Sequence, residues 1–500
     1  MIYLFTAKDA QEADSYTQQK IPAIELMERA GRECFYEIEK RINRSDNILV
    51  ITGGGGNGGD GLVIARYLYE NGYNVSAFIS SYHLKENTQT NLLRYKGNIV
   101  KDLLAYLSVN KVDVIVDAIF GVGLSTNLKK EYIDLINRLN DIQAYKISID
   151  INSGVDATSG KILGCAFKSD LTLSIENIKI GQIIGEGSFL YKEIKPIKIG
   201  IISANPNNLI KIIEKEDLKV LFPKREKNSN KGNYGRVALI GGNKHTPGAI
   251  ELSFSALAAL RCGCGYASLC VPKSLYNSYA LINPENIYNL FEDDDGNIKF
   301  DKEALDKIIN YSSILVGPGI GVSSEVFKII EYLLRNFKGN LVIDADGLNS
   351  LAKYGIDTLL DNVCASITHT PHIKEFSRLS SFKIEDILLN PIAYAKEFSK
   401  KYHCILNLKN YVSIITDGND VFLNTNGNPG LAKSGSGDVL SGITTSLLAK
   451  HDNLLLRVAG AAYILGRSAD LALQDSNEYS LISRDVVNKI SDTISEIIKS

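Results

Sequence analysis

The 500-residue sequence contains no tryptophan and only two methionines, 11 prolines and six histidines. It also lacks a large charge of either sign, because 55 basic and 57 acidic side chains give a formal net charge of −2. This balance excludes the strongly basic character typical of proteins that bind nucleic acid or anionic membranes. No run of 18 apolar residues is present, so the sequence predicts no helix that crosses a bilayer.

The seven cysteines do not form the pattern of a disulfide framework or of a zinc site. None belongs to a CxxC pair, and Cys262 and Cys264 are only two residues apart. Residues 1–16 show no basic region followed by an apolar stretch, so no signal peptide is predicted. We therefore expect small reduced thiols in a cytoplasmic protein.

Predicted strands and helices alternate along most of the chain, which predicts parallel sheets covered by helices on both faces. The apolar content of 45% is enough for full cores, and 500 residues exceed the usual size of one domain. The segment 203–233, rich in Asn, Lys and Pro, interrupts the alternation. We predict an α/β protein with two domains, residues 1–213 and 214–500.

Three predicted strands of the first domain end in glycine or in an acid. One runs into GGGGNGGDG (53–61), with a helix expected to open near Asp60, and the others end at Asp117 and Asp150. The glycine loop alone is a weak signal, because it matches neither GxGxxG nor GxxxxGK[ST] cleanly. Ligands of open parallel sheets bind beyond the carboxyl ends of the strands, so the three ends together predict a binding site.

A second glycine-rich turn, GSGDVLSG (435–442), precedes a helical pattern and carries Asp438 at its start. Its glycines permit close approach of the backbone, and the free N–H groups of a helix N-terminus stabilise an anion. An aspartate beside them could accept the proton of a hydroxyl that attacks a phosphoryl group. The turn predicts a phosphoryl-transfer site, and the alternative is an aspartate that only caps the helix.

The first half of the chain resembles the NAD(P)H-hydrate epimerase family in LMERAG (26–31), GNGGDGLVIAR (56–66), DAIFGVG (117–123), DINSGVD (150–156) and FKSDLTLS (167–174). The resemblance implies a Rossmann-like three-layer αβα fold and a potassium ion (K+) held by Asn57, Asp117 and Ser153. It implies proton transfer by Asp150. Gly56 stands where the family usually has a first asparagine. The implied substrate contacts are Gly56, Asn57, Gly58, Gly59, Asp60, Gly121, Val122, Gly123, Leu124, Ser125, Thr126, Asn127 and Asp150.

The second half resembles the ADP- or ATP-dependent NAD(P)H-hydrate dehydratases, in the ribokinase-like superfamily. The motifs are KGNYGRVALIGGN (231–243), PGAIELSFSALAALRCGCG (247–265), VGPGIG (316–321), IDADGLN (343–349), THTPHIKEFSRL (368–379) and LKNYVSII (408–415). The resemblance implies a ribokinase-like αβα fold with Asp438 as catalytic base, and Mg²⁺ (Mg2+) held through water by Asp344 and Glu375. Implied substrate contacts are Ala249, Gly321, His372 and Asp438, and implied nucleotide contacts are Lys409, Asn410, Tyr411, Val412, Ser413 and Gly437. Asn410 and Ser413 depart from the family pattern.

A chain that joins both halves resembles the bifunctional NAD(P)H-hydrate repair enzymes. That resemblance implies two small-molecule substrates, the hydrates of NADH or NADPH and the nucleotide ADP or ATP, and a homo-oligomer. Two alternatives stay open from the residues alone. One is a ribokinase-type kinase of a small alcohol with a fused Rossmann-like domain, and the other is a non-catalytic scaffold. His372 could also serve only the backbone of its loop.

Overall fold

The computed structural model describes residues 1–203, 209–244, 248–282 and 285–500, without the side chains of 248–254 and 282. It divides into two compact units, Tyr3–Ile210, and Lys211–Ser500 together with Met1–Ile2. We describe each unit by itself. Among the described residues, no helix combines the length and the apolar character that a bilayer crossing requires. The seven cysteines are free thiols.

The N-terminal unit is built around parallel strands with helices on both sides. Along the chain, the strands are β1 (Ile2–Leu4), β2 (Asn47–Thr52), β3 (Asn74–Ile79), β4 (Asn98–Val100), β5 (Val114–Ala118), β6 (Tyr145–Ile149), β7 (Ser169–Ile175) and β8 (Tyr191–Ile197). The helices are α1 (Ala7–Gln18), α2 (Ala23–Ile38), α3 (Gly56–Glu70), α4 (Glu86–Arg94), α5 (Leu103–Val109), α6 (Lys130–Asp141) and α7 (Ile180–Ile183).

The sheet of this unit has the order β4-β3-β2-β5-β6-β7-β8, and each neighbouring pair is parallel. Successive residues of β2 enter different cores, with Ile48 and Val50 on one face and Leu49 and Ile51 on the other. This is the burial of a strand covered on both faces, and it confirms the predicted three-layer fold. Strands β2, β5 and β6 are neighbours, so the three predicted strand ends do meet at one edge.

The start of α3 differs from the sequence prediction. The helix begins at Gly56, with Gly55 as its N-cap, so Asp60 lies in the second turn and does not open the helix. Gly58 and Gly59 have low helix propensity, and they occupy this part of the helix because the fold leaves no room for a side chain at either position. A Cβ at Gly58 would lie 1.9 Å from the carbonyl oxygen of Gly53.

The C-terminal unit holds a larger sheet. Its strands are β9 (Ile210–Ile212), β10 (Arg236–Ile240), β11 (Tyr266–Pro272), β12 (Ile287–Phe291), β13 (Asp293–Asp294), β14 (Asn297–Ile298), β15 (Ser313–Val316), β16 (Asn340–Ile343), β17 (Ser366–His369), β18 (Ile405–Leu408), β19 (Ser413–Thr416) and β20 (Val421–Asn424). Its helices are α8 (Lys215–Leu218), α9 (Gly248–Arg261), α10 (Tyr276–Ile282), α11 (Lys302–Ile308), α12 (Ser324–Asn336), α13 (Ala345–Tyr354), α14 (Ile373–Ser380), α15 (Ile384–Leu389), α16 (Pro391–Tyr402), α17 (Ser436–Leu447), α18 (Leu454–Ala472) and α19 (Ser483–Lys499).

The strands of this sheet run in the order β1-β9-β20-β19-β18-β17-β16-β15-β10-β11-β12, where β1 begins at Ile2, a residue of this unit. From β12 to β18 all neighbours are parallel, as predicted, whereas β18–β19 and β19–β20 are antiparallel. The uniform parallel prediction is therefore wrong at this end. Only residues 409–412 join β18 to β19, and a loop of that length can close a hairpin but not a parallel crossover.

The glycine-rich turn at 435–442 leads into two successive helices, α17 and α18. The break between them contains Asn453, which has a left-handed backbone with φ of 51°. All residues of α17 from Asp438 to Leu447 are buried, because the helix packs between the sheet and its neighbours α9 and α18. The N-terminus of α17 is therefore held in a fixed place.

Candidate active sites

The first turn of α3 presents backbone N–H groups at the carboxyl edge of the N-terminal sheet. Side chains at Gly55 or Gly56 would meet no atom within 4 Å, so open space faces this turn. The predicted contact segment 121–127 follows β5 and is mostly exposed, with Gly123 also facing open space. A helix N-terminus beside open space is suited to an anionic group.

Asn57, Asp117 and Ser153 converge at the ends of α3, β5 and β6. The Ser153 hydroxyl donates to Asp117 Oδ1 at 2.6 Å, and the Ser153 amide donates to Oδ2 at 2.9 Å. The Asn57 amide nitrogen donates to the carbonyls of Phe120 and Ile149, at 2.8 and 3.1 Å. The donor end of Asn57 is thus fixed, which orients its oxygen.

Asn57, Asp117 and Ser153 fit a weakly hydrated monovalent cation. The Asn57 Oδ1 atom is buried and has no hydrogen-bond partner within the described parts of the chain. Asp117 is fully buried, and burial raises its pKa to about 6 despite hydrogen bonds from Ser153, Ile119 and Ser148. A carboxylate without a neighbouring cationic side chain and an oriented amide oxygen are hard oxygen ligands of the kind such ions prefer.

Asp150 follows β6 and is held by a buried lysine. Its Oδ1 atom accepts from the ammonium of Lys179 in a short ion pair and from the backbone N–H of Ile175 at 3.3 Å. The exposed fractions of the two side chains are 12% for Asp150 and 2% for Lys179. Its Oδ2 atom faces Gly121, where a Cβ would lie 3.2 Å away. One oxygen is therefore held by the fold, and the other faces the predicted substrate segment.

Two further carboxyl groups lie near this pair. Burial raises the pKa of Asp14 to about 6, and the charge of Asp150 adds to the effect. Burial also raises the pKa of Asp60 well above its usual range, with contributions from Asp150 and Asp14. Lys179 opposes both shifts. Asp14 and Asp60 therefore hold their protons at higher pH than ordinary aspartates do, which suits a site of acid–base catalysis.

In the C-terminal unit, Asp438 lies in the first turn of α17, as the sequence predicts, and its side chain is buried. Gly435 serves as N-cap with a left-handed backbone, φ of 89°, which glycine adopts without strain. A Cβ at Gly437 would lie 3.4 Å from the ammonium of Lys409. The helix N-terminus, a carboxylate and a cation thus lie together, as needed to stabilise a transferring phosphoryl group.

Lys409 directly follows β18 and pairs with Asp344, which directly follows β16. Its ammonium lies 3.0 Å from Asp344 Oδ1, while Ser441 on α17 donates to Oδ2 of the same carboxylate. Burial lowers the pKa of Lys409, but the carboxylates of Asp344, Glu375 and Asp438 outweigh it, and the net pKa is raised. Lys409 is thus positively charged and lies at the N-terminus of α17.

His372 and Glu375 form the N-terminal capping box of α14. The Nδ1 atom of His372 accepts from the N–H groups of Lys374 and Glu375, and Glu375 accepts from the His372 amide at 2.9 Å. Burial lowers the pKa of His372, with a further contribution from Lys409. The backbone role left open for His372 is therefore present, yet the ring remains about half exposed, 49%, and its neutral form can still face a ligand.

The other predicted contacts lie at the same edge of the sheet. Asn410, Tyr411 and Val412 form the β18–β19 hairpin turn, and Ser413 begins β19. Gly321 follows β15 and donates its N–H to Asp346 in the first turn of α13. The side chain of Ala249 lies outside the described residues.

The described residues contain no cluster of three Asp, Glu, His or Cys side chains that could hold a metal by themselves. Asp344 and Glu375 are both buried beside Lys409. Two carboxylates fit Mg²⁺, because this ion usually keeps several waters and takes further oxygens from phosphates.

A cavity of about 1090 Å³ in this unit contains none of the predicted site residues. Its walls include Asn233, before the start of β10, Arg261, the last residue of α9, and Lys450, after the end of α17. It therefore lies at the amino edge of the sheet, whereas the carboxyl edge holds the chemistry-bearing side chains.

Sequence reasoning missed three residues of these sites. Lys179 is buried, although lysine is usually exposed, and its only sequence signal is its place between Ile178 and Ile180. Asp14 lies on a mostly polar helix and gives no signal. Ser441 could have been found, because it follows Asp438 by three residues and so faces the same side of α17.

Comparisons with known families match the two halves of the chain to two different families. The family described as YjeF-related protein N-terminus matches residues 23–181, and the NAD(P)H-hydrate dehydratase family matches residues 237–492. A protein of Dictyoglomus turgidum, the bifunctional NAD(P)H-hydrate repair enzyme Nnr, is 30% identical over 516 residues, covering 99% of each chain. The protein of the same name from Moorella thermoacetica is 29% identical over 516 residues, covering 97% of this chain and 96% of its own.

Two solved structures share the fold of the C-terminal unit. The ADP/ATP-dependent NAD(P)H-hydrate dehydratase of Bacillus subtilis, co-crystallised with ATP and Mg²⁺, gives a TM-score of 0.50 at 24% identity over 57% of this chain and 98% of that chain. A ribokinase-like superfamily protein of Enterococcus faecalis also gives 0.50 at 24% identity, covering 58% of this chain and 97% of its own. The predicted ribokinase-like fold is thereby confirmed.

Proposed function

The chain belongs to the family of bifunctional NAD(P)H-hydrate repair enzymes, and from this premise we propose that residues 1–213 carry the epimerase and residues 214–500 the dehydratase. The enzyme interconverts the R and S forms of hydrated NADH or NADPH and dehydrates the S form with ADP or ATP. The observation that supports the assignment of residues is that each unit places a helix N-terminus and a buried acid at the carboxyl edge of its sheet.

In the dehydratase, Asp438 is the base that removes the proton of the C6 hydroxyl as this oxygen attacks the terminal phosphoryl group of the nucleotide. The N–H groups of the first turn of α17 and the ammonium of Lys409 stabilise the charge that builds on that group. With ADP, the products of this step are AMP and a phosphorylated hydrate. The ring nitrogen then expels phosphate, and the resulting iminium ion loses a proton from C5 to water, which re-forms the dihydronicotinamide.

The segment Lys409 to Ser413 and Gly437 would contact the nucleotide, and Ala249, Gly321 and His372 the hydrated nicotinamide. Residues 409–412 form the whole connection between β18 and β19. Nucleotide contacts there would come from a short loop that is anchored by two paired strands. Mg²⁺ would be held near Asp344 and Glu375, where it would neutralise phosphate charge.

In the epimerase, Asp150 gives and takes back the proton of the C6 hydroxyl as this group leaves and returns, or as the ring opens and closes. Its Oδ2 atom faces Gly121, so we place the reacting ring between that residue and the first turn of α3. Potassium would be held by Asn57, Asp117 and Ser153, where it would supply the positive charge that the buried Asp117 lacks. The segments 56–60 and 121–127 would line the substrate.

We place the enzyme in the cytoplasm, because its seven cysteines are free thiols that suit a reducing compartment. A homo-oligomer follows from the family resemblance, and light scattering of the purified chain measures it.

The proposed function is tested by supplying purified protein with hydrated NADH and ADP. We expect the absorbance of NADH to return, one phosphate to be released per NADH, and both R and S hydrate to be consumed. A stable phosphorylated alcohol without NADH would instead identify a small-molecule kinase. Consumption of the S form alone would contradict the epimerase half of the proposal.

A further inference from the structure

Lys179 is a deeply buried cation of the N-terminal unit, and it contacts Asp150, the acid predicted to transfer a proton. It precedes the short helix α7, and its exposed side-chain fraction is 2%. Its ammonium donates to Asp150 Oδ1, to the carbonyl of Ile175 at 2.8 Å and to the hydroxyl of Ser174 at 3.3 Å. An ammonium has three protons, so these three acceptors fully satisfy it and fix its position.

The same segment also holds the backbone of Asp150. The Gln182 side-chain amide donates to the Asp150 carbonyl at 2.9 Å, and its oxygen accepts from the Lys179 N–H at 2.8 Å. Residues 174–182 therefore bind both the main chain and the side chain of Asp150. Only the Oδ2 atom, on the side of Gly121, is left facing the expected substrate.

Resting on the proposed epimerase function, we propose that Lys179 is a positioning residue of that reaction. It holds Asp150 through Oδ1, supplies the counter-charge of the carboxylate, and leaves Oδ2 facing Gly121, where the C6 hydroxyl of the substrate is expected. The surroundings make this cation necessary. Asp14 on α1 and Asp60 on α3 are acids near the pair, Cys34 on α2 is a buried thiol beside them, and Lys179 is the cation whose charge opposes the raised pKa of all three.

Removing the cation should change the chemistry and not only the packing. In Lys179→Met, the side chain keeps a similar length and an apolar stem, but Asp150 stays buried beside Asp14 and Asp60 without a counter-charge. The unpaired carboxylate then takes up a proton more readily. We expect kcat for epimerisation to fall by about 30-fold or more at pH 7, with KM changed less. The acid limb of the pH profile should move upward by about one unit or more.

The matched control is Lys192→Met, the same substitution at an exposed lysine that pairs with Asp170 on the surface of the same unit. We expect its kcat and pH profile to equal those of the unchanged protein. Epimerisation is followed by chromatographic separation of R and S hydrate without nucleotide, so the dehydratase does not contribute.

Two outcomes separate this inference from the proposed function. If the unchanged protein fails to epimerise, or Asp150→Asn epimerises normally, the proposed function of the site is wrong. If the unchanged protein is active, Asp150→Asn is inactive and folded Lys179→Met keeps both its kcat and its pH profile, only the role of Lys179 is wrong. Should Lys179→Met not fold, Lys179→Ala decides: rescue of its epimerisation by methylammonium supports the role, and lack of rescue overturns it.

Discussion

Each unit places a lysine beside a buried carboxylate, but the two lysines have different partners. In the N-terminal unit Lys179 binds Asp150 itself and is almost fully buried, whereas Lys409 pairs with Asp344, next to Asp438, and is 20% exposed. Lys179 can therefore act only through the acid that it holds. Lys409 can face a ligand directly. This difference predicts proton transfer through a positioned acid in the N-terminal site. In the C-terminal site it predicts stabilisation of a negatively charged phosphoryl group by a cation.

Replacing Asp438 and Asp150 by asparagine, one at a time, tests this comparison, and we expect the largest effect from these two changes. Asp438→Asn should lower kcat of dehydration by about 10³-fold, because this change removes the proposed base for the hydroxyl proton. Epimerisation of the same protein should be unchanged. Asp150→Asn should give the reverse pattern. Both rates are measured on each variant, by NADH absorbance with S hydrate and by chromatography without nucleotide. A variant that lowers both rates equally would show that the two sites are not independent.

Removal of potassium is expected to have the next largest effect, and this effect should be confined to the N-terminal site. Replacing K⁺ by tetramethylammonium should lower the epimerisation rate by about tenfold or more and should lower the melting temperature of the N-terminal unit, because a cation that binds only the folded state stabilises it. Asn57→Ala should remove this dependence on potassium in both measurements. Unchanged melting and unchanged activity in the unaltered protein would show that no such ion is bound at Asn57 and Asp117.

Much of this arrangement could be predicted from the sequence. Apolar runs that end in Asp117 or Asp150, and two glycine-rich turns, predict where the strands end and where these acids lie, because those patterns follow from local geometry. Lys179 could not be predicted, since its burial depends on acids that come from three distant helices and strands. The start of α3 was misplaced because packing against Gly53, not helix propensity, decides where glycines stand.

The third effect concerns stability. The pKa of Asp14 is about 6 in the folded protein against an ordinary value of 3.8, so the folded state binds the proton more tightly than the unfolded state. Stability from this group is fully present below pH 4 and is lost as the pH rises through 6. Asp14→Asn should therefore stabilise the N-terminal unit by about 1–2 kcal/mol at pH 8. Thermal unfolding at pH 4 should show no gain, and a gain at both pH values would contradict the titration.

The smallest expected effect is at Gly56, where a side chain would meet no atom within 4 Å. Gly56→Asn restores the amide that the family usually carries in this loop. We expect KM for the hydrate to fall by about two- to fivefold, as for one added hydrogen bond, with an unchanged melting temperature. Gly58→Asn is the matched contrast, because its Cβ would collide with Gly53, and it should unfold the unit. A destabilised Gly56→Asn would show that this space is not open.

The left-handed backbone of Asp150, with φ of 68°, has a consequence for how such an enzyme can change. Among residues with side chains, asparagine and aspartate tolerate this conformation best, and most others lose stability in it. Selection for a firmer fold alone would favour glycine at this position, so an aspartate persists there only while its carboxylate is useful. Lineages that no longer need epimerisation should therefore drift to glycine or asparagine at position 150 before the sheet around it changes.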